Sequence, residues 1–132
     1  MNATTSFTIL LCTYLLLPLS LIGQGDDSFR VDCQWVATYD QDKEEWGEWK
    51  EGDNTFIFNY NEGKDIKVFY ASGKSILFRN LGYKQTGETK DGTAYESLLV
   101  LADYGQKARI VLYSNHLIVL FYDDIWIRFS SD

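Results

Sequence analysis

The sequence predicts an all-β protein, an antiparallel meander of eight or nine short strands that curls into a small barrel or folds into a sandwich. From Phe29 onward, short runs rich in Val, Ile, Phe, Tyr and Trp alternate with Gly, Asn and Asp at intervals typical of hairpins. No stretch of this region keeps a helical period of apolar residues. We favour the barrel, because closure removes exposed sheet edges and the connections are short enough to allow it.

The N-terminal segment predicts export. Residues 8–21 form an apolar run, TILLCTYLLLPLSL, and a polar, acidic stretch follows it. The run is shorter than the roughly 20 residues that a membrane-spanning helix needs, so it is typical of a cleavable signal peptide rather than of a permanent anchor. We therefore expect a secreted or periplasmic protein that has no membrane anchor in its mature form.

Three positions are candidates for signal-peptide cleavage, because each has a small residue just before the cut. Cleavage after Gly23 leaves Gln24 as the new N-terminus, and Ser20 and Gly25 mark the alternatives. With the cut after Gly23, the chain consists of a signal peptide, residues 1–23, and a single all-β domain, residues 24–132.

The strands of the β domain follow from the pattern of each apolar run. The first run, residues 30–39, alternates clearly, which predicts a buried odd-numbered face of Val31, Cys33, Trp35, Ala37 and Tyr39. The further runs are residues 55–59, 66–70, 75–80, 83–89, 94–101, 107–113, 117–122 and 125–129. Residues 117–122, LIVLFY, are apolar on both faces and predict a covered central strand. The polar run 83–89 predicts an edge or a rim.

The connections between these runs carry turn residues. Gly63 and Gly73 stand where tight connections need a positive φ. Lys90-Asp91-Gly92 contains the Asp-Gly pair that is a strong short-range signal for a hairpin. The sequence thus predicts local, antiparallel pairing of successive strands.

The charge of the chain excludes one class of partner. It has 12 basic and 19 acidic side chains, for a net charge of −7, and none of these side chains lies in the predicted signal peptide. Nucleic-acid binding draws its affinity from Lys and Arg that neutralise phosphates. We therefore expect no nucleic-acid partner.

The inventory of reactive side chains predicts a protein without catalytic residues, cofactors or bound metal. Cys12 leaves with the signal peptide, so Cys33 is alone and is expected to be a small buried hydrophobe. His116 is the only histidine, and no Ser or Cys lies at a motif spacing from it. One Cys and one His cannot form a zinc site of the usual kind.

The acidic loop of residues 40–53, DQDKEEWGEWKEGD, invites comparison with a calcium loop. Five acids fall at EF-hand ligand positions, namely Asp40, Asp42, Glu44, Glu48 and Glu51. The match breaks at Glu45, where the loop needs glycine, and at Gly47, where it needs an apolar residue. We interpret the segment as a solvated hairpin tip.

Two tryptophans, Trp46 and Trp49, stand in this loop close to Tyr39 at the end of the first strand. An indole offers a large, mostly apolar area, so an exposed pair is suited to stacking on a sugar or packing on a partner protein. The alternative is that the two rings cap the open end of the core beneath the loop. Tyr39, Trp46 and Trp49 are the candidate binding residues.

Four pieces of the chain form a recognisable combination, namely Trp46-Gly47-Glu48-Trp49, residues 66–70, Lys90-Asp91-Gly92 and Phe121-Tyr122-Asp123-Asp124. In this combination the chain resembles a set of uncharacterised small exported all-β proteins of Gram-negative, Bacteroidetes-like bacteria. The resemblance implies an envelope or periplasmic setting, and it carries over no catalytic residue.

Together these patterns predict an exported, non-enzymatic β-module that binds a protein, peptide or small ligand through aromatics at one end of the sheet. One alternative is a lipocalin-like or calycin-like carrier of a small apolar ligand, which an interior plugged by Trp35, Phe56, Phe58 and Phe78 would exclude. Another alternative is a carboxylate-based hydrolase, which needs two acids about 5 to 9.5 Å apart in a cleft.

Overall fold

The computed structural model describes residues 27–132 and shows a closed antiparallel barrel of eight strands with one extra short strand. The predicted signal peptide and its candidate cleavage sites lie outside the described residues. The last strand pairs with the first, so the sheet closes on itself and the barrel, not the sandwich, is the architecture. In the described part of the chain no helix could span a membrane.

The eight strands of the barrel pair in the order of the chain, and the last of them also pairs with the first. The strands are β1 Phe29–Asp40, β2 Glu45–Trp46, β3 Lys50–Phe58, β4 Ile66–Phe69, β5 Ser75–Glu88, β6 Ala94–Leu101, β7 Lys107–Tyr113, β8 Ile118–Tyr122 and β9 Ile125–Ser130. Strand β2 pairs only with the end of β1, and the other eight strands form the barrel wall. Successive strands pair because their connections are short.

Three differences from the sequence prediction exceed one residue. The runs 75–80 and 83–89 are one long strand, β5, whose register against β6 shifts between Asn80 and Lys84. The two-residue strand β2 lies within the acidic loop, where no strand was predicted, and β3 begins at Lys50 rather than at residue 55. The polar half of β5 pairs with β6 alone, so it forms a rim as predicted.

The turns confirm two of the three predicted glycine positions. Gly73 and Gly92 have φ values of 93° and 88°. Gly63 was the wrong residue, because its neighbour Lys64 takes the positive φ, 62°. The Asn61 side chain fixes this turn by accepting a hydrogen bond of 3.1 Å from the Asp65 backbone N–H.

The interior of the barrel is filled by side chains. Residues that are at most 4% exposed form one cluster, including Phe56, Phe58, Phe78, Phe129, Ile66, Val68, Val100, Ile110, Ile118 and Leu120. An eight-stranded barrel is just wide enough for side chains to fill it. Trp35, which was expected to help plug the interior, is half-buried and lies outside this cluster.

One end of the barrel is closed by tyrosines. Tyr70, directly after β4, and Tyr122, at the end of β8, pack against the core. Burial is the main reason that the pKa of Tyr122 and the pKa of Tyr70 are both raised. We refer to the opposite end, where β1 begins and β5 ends, as the mouth.

Strand β1 reverses its buried face partway along. Val31 and Cys33 face the core opposite β3, but the register shifts between Cys33 and Trp35. Beyond the shift, Val36 faces inward opposite the buried Phe129, and Ala37 lies opposite Arg128 on the outer wall. The prediction that the odd-numbered residues share one face is therefore wrong beyond Cys33, because a register shift exchanges the two faces of a strand, although Ala37 is buried as predicted, with 3% exposure.

A core substitution tests whether the interior is filled. Leu120 has no solvent exposure, so Leu120→Ala is expected to lower the free energy of unfolding by about 2 to 5 kcal/mol, measured by guanidinium denaturation. The matched control is Tyr83→Ala, since Tyr83 is 65% exposed and its truncation should change stability by less than about 0.5 kcal/mol. Equal stability of the two variants would contradict a packed interior.

Candidate functional site

The outer wall formed by β1, β8 and β9 carries a row of aromatic residues. Directly opposite residues of paired strands share a face of the sheet. Phe121 lies opposite Trp126, and Val119 and Ala37 both lie opposite Arg128. Because the neighbouring residues Phe129 and Leu120 point into the core, these side chains point outward.

Trp46 and Trp49 reach this wall because the acidic loop folds back along β1. Tyr39 pairs with Trp46 across the β1–β2 hairpin, and the Gly47 N–H donates a hydrogen bond of 2.8 Å to the Thr38 carbonyl. A side chain at Gly47 would approach that carbonyl oxygen to 3.2 Å, so glycine suits this close approach. The W-G-x-W spacing thus brings both indoles over the end of the outer wall.

The two tryptophans hold an arginine. The guanidinium carbon of Arg128 lies 4.6 Å from the ring centre of Trp46 and 4.4 Å from that of Trp49. These distances are well within the range of cation–π attraction. We name the group of Trp46, Arg128 and Trp49 the tryptophan clamp.

The clamp is held by ring stacking rather than by ion pairing. Within residues 27–132 no carboxylate pairs with Arg128, and its Nε atom is buried without a hydrogen-bond partner. Burial lowers the pKa of the guanidinium, which remains charged at neutral pH.

The clamp continues into a larger aromatic surface. The ring of Tyr39 lies edge-on to that of Trp46, with 5.3 Å between the ring centres, and it lies 4.5 Å from the ring centre of Trp126. The ring centres of Trp126 and Phe121 are 5.5 Å apart. We call the set of Tyr39, Trp46, Trp49, Phe121, Trp126 and Arg128 the aromatic face. Trp49 is 39% exposed and the other members are half-buried.

The structure brings all three predicted binding residues together, although not in the expected setting. Tyr39, Trp46 and Trp49 lie on the outer wall, so they do not cap an open end of the core. The guanidinium of Arg128 lies over the rings of both tryptophans. Sequence reasoning missed Trp126 and Arg128, although their alternation with Ile125, Ile127 and Phe129 predicts that they share the outer face.

A separate open cleft lies at the mouth of the barrel. Its volume is about 600 Å³, and its lining includes Phe29 from β1, Glu88 from the end of β5, Tyr95 and Glu96 from β6, and Tyr113 from β7. The rim is the polar half of β5 that the sequence predicted. The cleft shares no residue with the aromatic face.

Within residues 27–132 no group of three or more His, Cys, Asp or Glu side chains could hold a metal ion. His116 lies in the exposed turn before β8, with a φ of 68°, rather than on a strand. Of the two carboxylates in the mouth cleft, Glu96 is engaged by Lys84 at 3.5 Å.

Comparison with known proteins supplies no family. No protein-family model, no curated protein and no solved structure matches this chain. Function is therefore inferred from the geometry of the described residues.

A double-mutant cycle tests the tryptophan clamp. Arg128→Gln and Trp49→Leu are each expected to lower the free energy of unfolding. Either substitution alone removes the contact between Arg128 and Trp49, so the effects are not additive, and we expect a coupling energy of about 0.5 to 2 kcal/mol. Urea denaturation of the four proteins gives this energy. Arg79→Gln, which alters an exposed arginine on β5, should show coupling to Trp49→Leu near zero. Additive effects in the Arg128 cycle would rule out the clamp.

The reactivity of Cys33 tests its burial independently. Cys33 is 1% exposed, and burial raises the pKa of its thiol to about 11. In the chain that begins at Gln24, we expect no labelling by Ellman's reagent at pH 8 in the folded state and one labelled thiol in guanidinium, because the reactive thiolate is scarce and inaccessible when folded. Rapid labelling of the folded protein would show that β1 does not seal the core.

Proposed function

We propose that this protein is an exported, non-enzymatic β-barrel module that binds a protein or peptide partner through the aromatic face. The observation that carries the proposal is the position of the rings. Tyr39, Trp46, Trp49, Phe121 and Trp126 lie on the outer wall of a barrel whose core is already filled by other residues. These rings are not part of the core cluster, so packing of the core does not explain why they lie together.

The composition of the aromatic face supports a binding role. Trp, Tyr and Arg are the residue types that contribute most to binding energy at protein interfaces, and they act best when clustered. Here three tryptophans, one tyrosine and one arginine adjoin one another. Two small residues that lie opposite Arg128 on the same wall, Ala37 and Val119, are buried.

The side chains of the aromatic face are already held in place, which lowers the entropic cost of binding. A side chain that is immobilised only on binding loses rotamer freedom at that moment. Trp46 and Trp49 are already held against Arg128, and Tyr39 is already held between Trp46 and Trp126. A partner would therefore meet a surface that is largely preorganised.

The charges around the aromatic face define the chemistry of the partner. The acidic loop presents the exposed carboxylates of Asp42, Glu44, Glu45, Glu48 and Glu51 beside the tryptophans. Charge complementarity favours a partner whose apolar or aromatic centre is bordered by Lys and Arg. The net charge of −7 acts in the same direction over longer distances.

Export is part of the same proposal. The apolar run of residues 8–21 supports passage to the periplasm or the exterior, and there the aromatic face would meet envelope or extracellular partners. The filled interior argues against the alternative of a carrier that holds an apolar ligand inside the barrel.

Peptide selection tests the proposed partner site. Peptides selected from a random phage-displayed library on the chain beginning at Gln24 are expected to be rich in aromatic and basic residues. Trp49→Ala should weaken their binding about tenfold or more, measured by isothermal titration calorimetry, because it truncates the most exposed ring of the site.

The matched control for this selection is Phe69→Ala. Phe69 on β4 is 43% exposed, similar to Trp49, but lies away from the aromatic face, so its truncation should leave the affinity unchanged. Circular dichroism of each variant verifies folding. Peptides that bind Trp49→Ala as tightly as the wild type would refute the proposal.

A further inference from the structure

A cavity on the outside of the barrel lies where the β5–β6 turn meets the β7–β8 turn. Its lining includes Asp91 and Thr93 from the first turn, and Tyr113, Asn115 and Leu117 from the end of β7 and the second turn. Its volume is about 490 Å³, within the range of roughly 300 to 1,000 Å³ that is usual for ligand sites. We call it the turn cavity, and it shares no residue with the aromatic face.

The strand register directs these side chains to one surface. Tyr113 follows Leu112, which packs against the core, so the tyrosine points outward. Leu117 lies opposite Tyr113, whose N–H donates a hydrogen bond of 2.9 Å to the Leu117 carbonyl. Tyr95 also pairs with Tyr113, and Thr93, two residues before Tyr95, points to the same side. The lining of the turn cavity therefore converges on the outer wall.

Tyr113 and Leu117 give the turn cavity an apolar floor. Both are half-buried, so part of each side chain remains open to solvent. The ring centres of Tyr113 and Tyr95 are 5.8 Å apart, so the Tyr113 ring is supported on one side. A tyrosine ring combines a large apolar body with a polar hydroxyl group, and it therefore suits a ligand that has both kinds of surface.

Asp91 contributes a hydrogen-bond acceptor to the turn cavity. Its Oδ1 atom accepts hydrogen bonds from the Thr89 hydroxyl, from the Thr93 hydroxyl at 3.0 Å and from the Thr93 N–H at 3.3 Å. These bonds hold the pKa of Asp91 below its usual value, so the carboxylate is ionised at neutral pH. Because all three bonds end on Oδ1, the Oδ2 atom keeps its capacity to accept from a ligand.

Asn115 contributes a hydrogen-bond donor. Its Oδ1 atom accepts a hydrogen bond of 3.1 Å from the Leu117 N–H, which fixes the side chain and leaves the Nδ2 group to donate. A ligand between Asp91 and Asn115 thus needs groups that donate as well as groups that accept. Hydroxyl groups do both.

The charge of the turn cavity favours a neutral ligand. Of the described residues that line it, two are charged, Lys90 and Asp91, and their charges have opposite signs. The lining therefore has no excess charge, in a chain whose net charge is −7. A purely apolar ligand would desolvate the Asp91 carboxylate without compensating it, which is costly.

We propose that the turn cavity binds a neutral saccharide, with the apolar face of one pyranose ring on Tyr113 and hydroxyl groups bonded to Asp91 and Asn115. A pyranose has the features that this lining requires, namely a flat apolar face and several hydroxyl groups at its edge. The same ring occurs in a free monosaccharide and within a glycan chain. This site is separate from the proposed protein or peptide site.

NMR titrations with pyranosides test the proposal. The probes are the methyl glycosides of glucose, galactose and mannose, and tetrasaccharides of the same sugars. In ¹H–¹⁵N spectra of the chain beginning at Gln24, at least one probe is expected to shift the amide signals of Thr93, Tyr113 and Asn115. Tighter binding of a tetrasaccharide than of its methyl glycoside would identify a glycan chain as the ligand, and equal binding would identify a single sugar.

Sorbitol is the matched control ligand, because it carries hydroxyl groups but has no ring and so no flat apolar face. It should bind at least about tenfold more weakly than the best pyranoside. No shifts with any probe, shifts confined to other parts of the protein, or sorbitol binding as tight as that of the pyranosides would overturn the proposal.

Variants assign the binding to named side chains. Tyr113→Leu and Asn115→Asp should each weaken it about fivefold or more. Asn115→Asp keeps an acceptor for the Leu117 N–H but removes the donor, and Tyr113→Phe should restore most of the affinity lost in Tyr113→Leu. Tyr83→Leu, which alters a tyrosine on β5 outside the cavity, should leave the affinity unchanged. The spectra report whether each variant is folded, and unchanged affinity of Tyr113→Leu would contradict the proposed stacking.

Discussion

The way in which β1 closes the barrel is the constraint on which the other features depend. This strand pairs with β3 along its first part and with β9 along its second part, and its register shifts between Cys33 and Trp35. The shift turns Val36 toward the core and Ala37 and Tyr39 toward the outer wall. One strand can therefore seal the interior at Cys33 and support an aromatic surface at Tyr39.

The outer wall shows how a cation can be held without a carboxylate. Arg128 lies over two indoles, and the acidic loop that delivers them is fixed to β1 by the Gly47–Thr38 hydrogen bond. Stacking on the two indoles takes the place of an ion pair, and the buried Nε atom has no hydrogen-bond partner. The acids of the loop remain exposed, where they shape the surroundings of the aromatic face.

Local patterns made much of this fold predictable, and non-local contacts made the rest unpredictable. The turn at Lys90-Asp91-Gly92 and the alternation of residues 30–33 depend only on residues close by in the chain. The predicted turn and the predicted burial of Val31 and Cys33 are both confirmed. Asn80 and Gly82 look like a turn, and Asn80 does accept a hydrogen bond of 2.7 Å from Gly82, yet β5 continues through them because β6 pairs on both sides. Likewise, Arg128 meets the tryptophans only because closure brings β9 to β1.

The position of the Ala37 methyl group tests this account most directly, because it shows which face of β1 points outward. In a nuclear Overhauser spectrum of the folded protein, we expect cross-peaks between this methyl group and the side chain of Arg128, which lies opposite it on the outer wall. Cross-peaks from Ala37 to the core residues Phe56 and Phe129 would show that β1 keeps one face inward. That result would contradict the reversal of the buried face of β1 and the position of Ala37 and Tyr39 on the outer wall.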